Sequence, residues 1–284
     1  MNPAVVPAIA VVSCMLSASC GGRVERAPAP PAQRAPADVP FSIIATDDGF
    51  EAPRSIPSGL RHVTFANHGS EIHEAMLVKL AQGMSAEDYV AAVKAGSLFP
   101  AGALDYSGPG LTSPGEATEL WLTVDPGEYI LICWNDSHAS TRPVHRFTVL
   151  AEEVNSLPPP EDLTLKLLDY RFEVAGTLEK GTRVVRFVTE GPAMHEADLY
   201  LLNDGKTVDD LNRWRKEGTG PAPARALGGI LDSHDIRRVV WLRRNFMPGR
   251  YVFHCEMPMQ AAADAPSETI HADLGMYREL RVAE

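Results

Sequence analysis

Three separated segments of the chain recur at one fixed spacing. Arg61-His-Val-Thr-Phe65 matches Arg183-Val-Val-Arg-Phe187, and His73-Glu-Ala-Met-Leu77 matches His195-Glu-Ala-Asp-Leu199. Pro126-Gly-Glu-Tyr-Ile-Leu-Ile-Cys133 matches Pro248-Gly-Arg-Tyr-Val-Phe-His-Cys255. The offset is 122 each time (183 − 61, 195 − 73, 255 − 133). One register held over so long a span marks a tandem duplication, and 284 residues suffice for two units of ordinary domain size.

Each copy reads the same way. Apolar–polar alternation rich in Val, Ile and Phe (residues 62–65, 76–80, 119–124 and 129–133) predicts short, half-buried strands. A helix interrupts them, opened by the cap-like Ser85-Ala-Glu-Asp88 and followed by Gly96, and repeated as Thr207-Val-Asp-Asp210 and Gly218. Pro126-Gly127 and Pro248-Gly249 are turns. Many short strands with one short helical insertion per copy predict an all-β chain of two tandem Greek-key β-sandwiches. The expected units are residues 41–152 and 161–284, with Pro158 to Pro160 at the boundary.

What precedes them differs. Ala4 to Leu16 carries no charge and is too short to span a bilayer, which needs ~20 apolar residues. Leu16-Ser-Ala-Ser-Cys20 follows, so residues 1–20 read as an export signal of lipoprotein type, with Cys20 as the lipidation site. The Pro/Ala-rich stretch 21–40 reads as an extended linker. These features predict an extracytoplasmic (periplasmic or cell-surface) protein, tethered to a membrane through its lipidated N-terminus. The net charge of −11 argues against nucleic acid or an anionic membrane surface as partner and favours a basic protein.

Outside the leader only Cys133 and Cys255 remain. Exported proteins commonly form disulfides, but pairing these two would require equivalent interior points of two copies to lie about 5.5 Å apart, so no disulfide is expected. A metal bond is a reason to keep two such thiols. In the second copy Cys255 is followed by His271 and Met276, with His195 upstream. One thiolate, two imidazoles and a thioether form the mixed S/N set that suits copper cycling between Cu(I) and Cu(II).

Here the residues resemble a known family. His195, the Pro248-Gly-x-Tyr-x-x-x-Cys255 strand and the His271-x-x-x-Gly275-Met276 ending are similar to the cupredoxins, the blue-copper β-sandwich proteins. The resemblance covers both copies. It implies a cupredoxin-like fold for each and a type 1 copper held by His195, Cys255, His271 and axial Met276. Fifteen residues separate Cys255 from His271, more than small blue-copper proteins commonly have, and the excess around residues 261–266 reads as a surface excursion. In the first copy His73, Cys133 and His138 match, but Pro143 stands opposite Met276 and His145 lies nearby. That site is either a copper site without an axial side chain or a decayed one kept for packing.

The resulting expectation is an exported copper protein that transfers electrons to or from a redox partner protein, rather than an oxidase or nitrite reductase. Two alternatives stay open. One is a copper chaperone or buffer, for which Met257 and Met259 could capture Cu(I), although they equally read as apolar cover. The other is a reductase or oxidase with a further copper at an interface, which His254 would serve. By strand alternation His254 points away from the copper, toward a domain interface. Glu71, Glu74, Glu190 and Glu196, near the first ligands, read either as a face toward a partner or as a solvated rim, the commoner case.

Overall fold

The computed structural model describes residues 39–135, 144–233, 239–261 and 265–284. It is mostly β. The first half runs β1 (Phe41–Thr46), β2 (Gly49–Glu51), β3 (Ser55–Asn67), β4 (Met76–Lys79), α1 (Ala86–Lys94), β5 (Leu104–Asp105), β6 (Ala117–Val124), β7 (Gly127–Ile132) and β8 (Val144–Glu153). The second runs β9 (Leu163–Leu168), β10 (Arg171–Gly176), β11 (Gly181–Thr189), β12 (Ala197–Leu202), α2 (Val208–Glu217), β13 (Ala224–Ile230), β14 (Val239–Phe246) and β15 (Gly249–His254). A hairpin of β16 (Pro258–Ala261) and β17 (Ala265–Ile270), a 3-10 turn (His271–Leu274) and β18 (Tyr277–Val282) complete it.

The strands form where the sequence alternates. β3 buries every second side chain over most of its length, as a strand with one face on a core must. Both helices begin on the expected caps. Ser85 Oγ accepts the Asp88 N–H and the Asp88 carboxylate accepts the Ser85 N–H, and Thr207 and Asp210 do the same. These reciprocal bonds satisfy two N–H groups that the helix cannot. Gly218 closes α2 in the left-handed conformation, at φ 63°.

The pairing registers repeat with the sequence offset. Phe41 faces Val63 and Leu163 faces Val185; Val63 faces Leu120 and Val185 faces Leu242; Met76 faces Ile132 and Asp198 faces His254. Each second pair is the first advanced by 122. Two strands depart: Val78 faces Asp105 while Tyr200 faces Ala226, so β13 follows β5 at 121, and Gly127 faces Val149 while Gly249 faces Val282, so β18 follows β8 at 133. The 11 extra residues (133 − 122) lie between β15 and β18, where β16 and β17 form their hairpin.

The halves meet through equivalent strands. β6 pairs antiparallel with β14, and Leu120 faces Leu242, its own counterpart. Trp121 faces Trp241 and Glu119 faces Arg243, so the contact is isologous, the kind a two-fold axis generates. Arg243, the counterpart of Trp121, lies over the Trp121 ring at 5.2 Å and forms an ion pair with Glu119. A second crossing links Pro109 to Ile230 and Thr112 to Leu227. One buried apolar cluster runs through both halves, from Phe41 and Leu120 to Leu242, Phe253 and Met276. Among the described residues no helix is long and apolar enough to cross a membrane.

Candidate metal centre

β15 is central to this site. It lies between β12 and β18 in a four-stranded sheet with β13 outermost. His195 precedes β12, Cys255 follows β15 and Met276 precedes β18, so three neighbouring strands deliver these residues to one end of the sheet. His271 opens the 3-10 turn. Backbone bonds latch the connection: Cys255 N–H donates to Met276 O at 3.1 Å, Ala272 N–H to Cys255 O at 3.0 Å and His271 N–H to Met257 O at 2.9 Å. Gly275, at φ 98°, makes the left-handed turn that brings Met276 back beside Cys255.

His195 Nδ1 and His271 Nδ1 lie 3.0 Å apart, and Cys255 Sγ lies 3.4 Å from His271 Nδ1. The three donor atoms fall within 4.8 Å of one another, all buried. Met276 is wholly buried, and its carbonyl accepts the Cys255 N–H. Asp169, in the turn between β9 and β10, places Oδ1 3.3 Å from His195 Nε2. With Nε2–H donating to that carboxylate, Nδ1 keeps its lone pair and faces the other donors. Tyr170, held at φ 60°, stands edge-on to His271 with ring centroids 5.0 Å apart.

Burial sets the protonation of this cluster. Desolvation lowers His195, with Asp169 opposing, and desolvation together with His195 pushes His271 down to about 4. Burial and the Glu196 carboxylate push the Cys255 thiol well up. Two neutral imidazoles and a neutral thiol are therefore packed where a cation would find three donors, and a cation is what would stabilise the thiolate. Soft sulfur with imidazole nitrogen is a donor chemistry that copper fits.

The first half repeats part of this arrangement. His73 is buried, with Nε2 3.1 Å from Oδ1 of Asp47, the counterpart of Asp169. Cys133 is buried at the end of β7. Neither cysteine is disulfide-bonded. His138 and Pro143 lie outside the described residues, as do Cys20, the leader and nearly all of the linker. His145 lies on β8 and its Nε2 is 3.2 Å from the Pro53 carbonyl. Among the described residues, three His, Cys or carboxylate donors converge only at His195, Cys255 and His271.

Two expectations need correction. His254 is buried but turns to α2 of its own half, where Nε2 meets Asn212 Oδ1 at 2.8 Å, and not to the interface between halves. Alternation gave the side of the sheet correctly, but α2 covers that side. The acidic rim also divides. Glu71 and Glu190 are exposed, whereas Glu74 is 5% exposed and the half-buried Glu196 lines a cavity. Met257 is buried in the main core, as apolar cover would be. Asp47, Asp169 and Tyr170 were not singled out from sequence, although an aspartate recurring at the 122 offset was visible there.

No family profile and no curated relative matches the chain. Solved structures that resemble it include a dithionite-reduced auracyanin from Roseiflexus castenholzii, at 19% identity over 38% of this chain and 94% of that one, with a TM-score of 0.30. A multicopper oxidase matches at 12% identity over 88% and 92%, with a TM-score of 0.26. A Cu-containing nitrite reductase from Thermus scotoductus matches at 15% over 85% and 61%, with a TM-score of 0.24. Scores this low assign neither fold nor activity.

Proposed function

We propose that residues 41–152 and 161–284 are two cupredoxin-like Greek-key domains, and that the second holds a type 1 copper used for electron transfer. One observation carries the reading: His195, Cys255 and His271 converge in a buried cluster beside Met276. Copper held there would supply one-electron exchange between Cu(I) and Cu(II). The protein's part is to keep the donors still and dry. The bonds among Cys255, Met257, His271, Ala272 and Met276 fix the loop, Asp169 fixes the His195 ring, and Tyr170 shields His271. Donors held this way need to move little between oxidation states.

An electron carrier is favoured over an enzyme with a further copper, because His254 is engaged by Asn212. In the full reading residues 1–20 are an export signal, Cys20 carries lipid, and the linker to residue 40 spaces the domains from a membrane outside the cytoplasm, where a redox partner protein docks. Voltammetry of the copper-loaded protein tests the central part. A reversible one-electron couple, lost in Cys255→Ser, is expected; copper bound tightly with no reversible couple would instead indicate a chaperone or buffer. Incorporation of labelled palmitate, abolished in Cys20→Ser, tests the tether.

A further inference from the structure

A cavity of about 590 Å³ lies between the two halves, lined from both. That is a volume typical of small-molecule sites. Its wall carries six carboxyl side chains: Glu74, Asp105, Glu196, Asp198, Asp232 and Glu256. Arg215 is the one basic residue of the lining, and Glu256 already pairs with it while also accepting the Tyr200 hydroxyl. Glu74 accepts the Trp134 N–H and Asp198 the Leu111 N–H, both at 2.8 Å. Asp232 differs. It is only 4% exposed, yet its Oδ2 has no hydrogen-bond partner. A buried carboxyl oxygen without a donor is costly to the fold, and its residue lines a space large enough for a ligand to supply one.

The rest of the wall says which ligand. Phe99, Trp134 and Trp214 add aromatic surface, which packs an apolar body and attracts a positive charge. No three of these carboxylates converge within metal-binding distance. A point cation would meet them singly, whereas an extended molecule can place a charge at one end of the cavity and an apolar body along the rest. We propose that the cavity binds a small organic cation with an apolar, aromatic-sized body, its positive group seated at Asp232.

The proposal is independent of the copper reading and is tested on the full chain without added metal. Titration calorimetry would compare tryptamine with indole, its neutral core, and with the anion indole-3-acetate. Tryptamine is expected to bind one to one, at least tenfold more tightly than either analogue. At pH 8, where Asp232 is ionised, Asp232→Asn, which keeps the shape and removes the charge, should weaken tryptamine at least tenfold and leave indole unchanged. Equal affinities for the three probes, an unaltered tryptamine affinity in Asp232→Asn, or displacement of tryptamine by stoichiometric calcium would each overturn the proposal. A second readout uses the unaltered chain: carbodiimide coupling of tryptamine, which forms an amide at a carboxyl and converts the carbodiimide to its urea, followed by peptide mapping. Labelling of Asp232 is expected; labelling confined to surface carboxyls contradicts the site whether or not the variant folds.

Discussion

Asp169 accepts the Nε2–H of His195 at 3.3 Å from a turn 26 residues upstream. The hydrogen bond selects the tautomer that leaves Nδ1 facing Cys255 and His271, and Asp47 repeats it on His73. Removing such a partner typically lowers metal affinity about 10- to 100-fold. Asp169→Ala is expected to weaken copper binding by that much in a chelator competition, with the circular dichroism spectrum unchanged. Unaltered affinity would mean that the Asp169 contact does not orient the ligand.

Asp232 predicts a pH dependence of stability. Burial pushes its carboxyl up to about 7, from an ordinary 3.8. Between those values the folded chain keeps a proton that the unfolded chain has released, so this group's contribution to stability falls as pH rises. Asn at this position titrates nothing. The stability of Asp232→Asn relative to the natural chain should be near zero at pH 4 and grow to at least ~1 kcal/mol in favour of the variant by pH 8. A difference that stays flat with pH would contradict the assignment.

The isologous contact of β6 with β14 predicts that the halves unfold together. Leu120 and Leu242 are fully buried opposite one another, in a core that both halves share. Leu242→Ala should cost about 2–5 kcal/mol and shift the whole transition, with far-ultraviolet dichroism and tryptophan fluorescence moving in step. Two separated transitions would show that the halves are stable independently.

Much of this was legible in the sequence, and the reasons differ by residue. The 122 offset is a property of the chain itself, and the registers of β9 to β12, β14 and β15 follow it, whereas β13 slips by one residue at a bulge. Ser85 and Thr207 act within a few residues, so their caps could be read directly. The convergence of His195, Cys255 and His271 was readable because donor type and order reflect chemistry. Asp169 was missed because its partner lies 26 residues away across a turn. The burial of Glu74 and Asp232 was missed because charged residues read as solvated unless a cavity between halves is known. His254 was placed on the correct side of its strand, but α2 decides what covers that side.

The central claim is that copper is bound through the Cys255 thiolate. Copper titration with visible absorption tests it most directly, on the natural chain, Cys255→Ser and Cys133→Ser. The account predicts an intense thiolate-to-copper charge-transfer band that saturates with copper, collapses in Cys255→Ser and persists in Cys133→Ser. Copper bound without such a band, or a band of full intensity in Cys255→Ser, would contradict it.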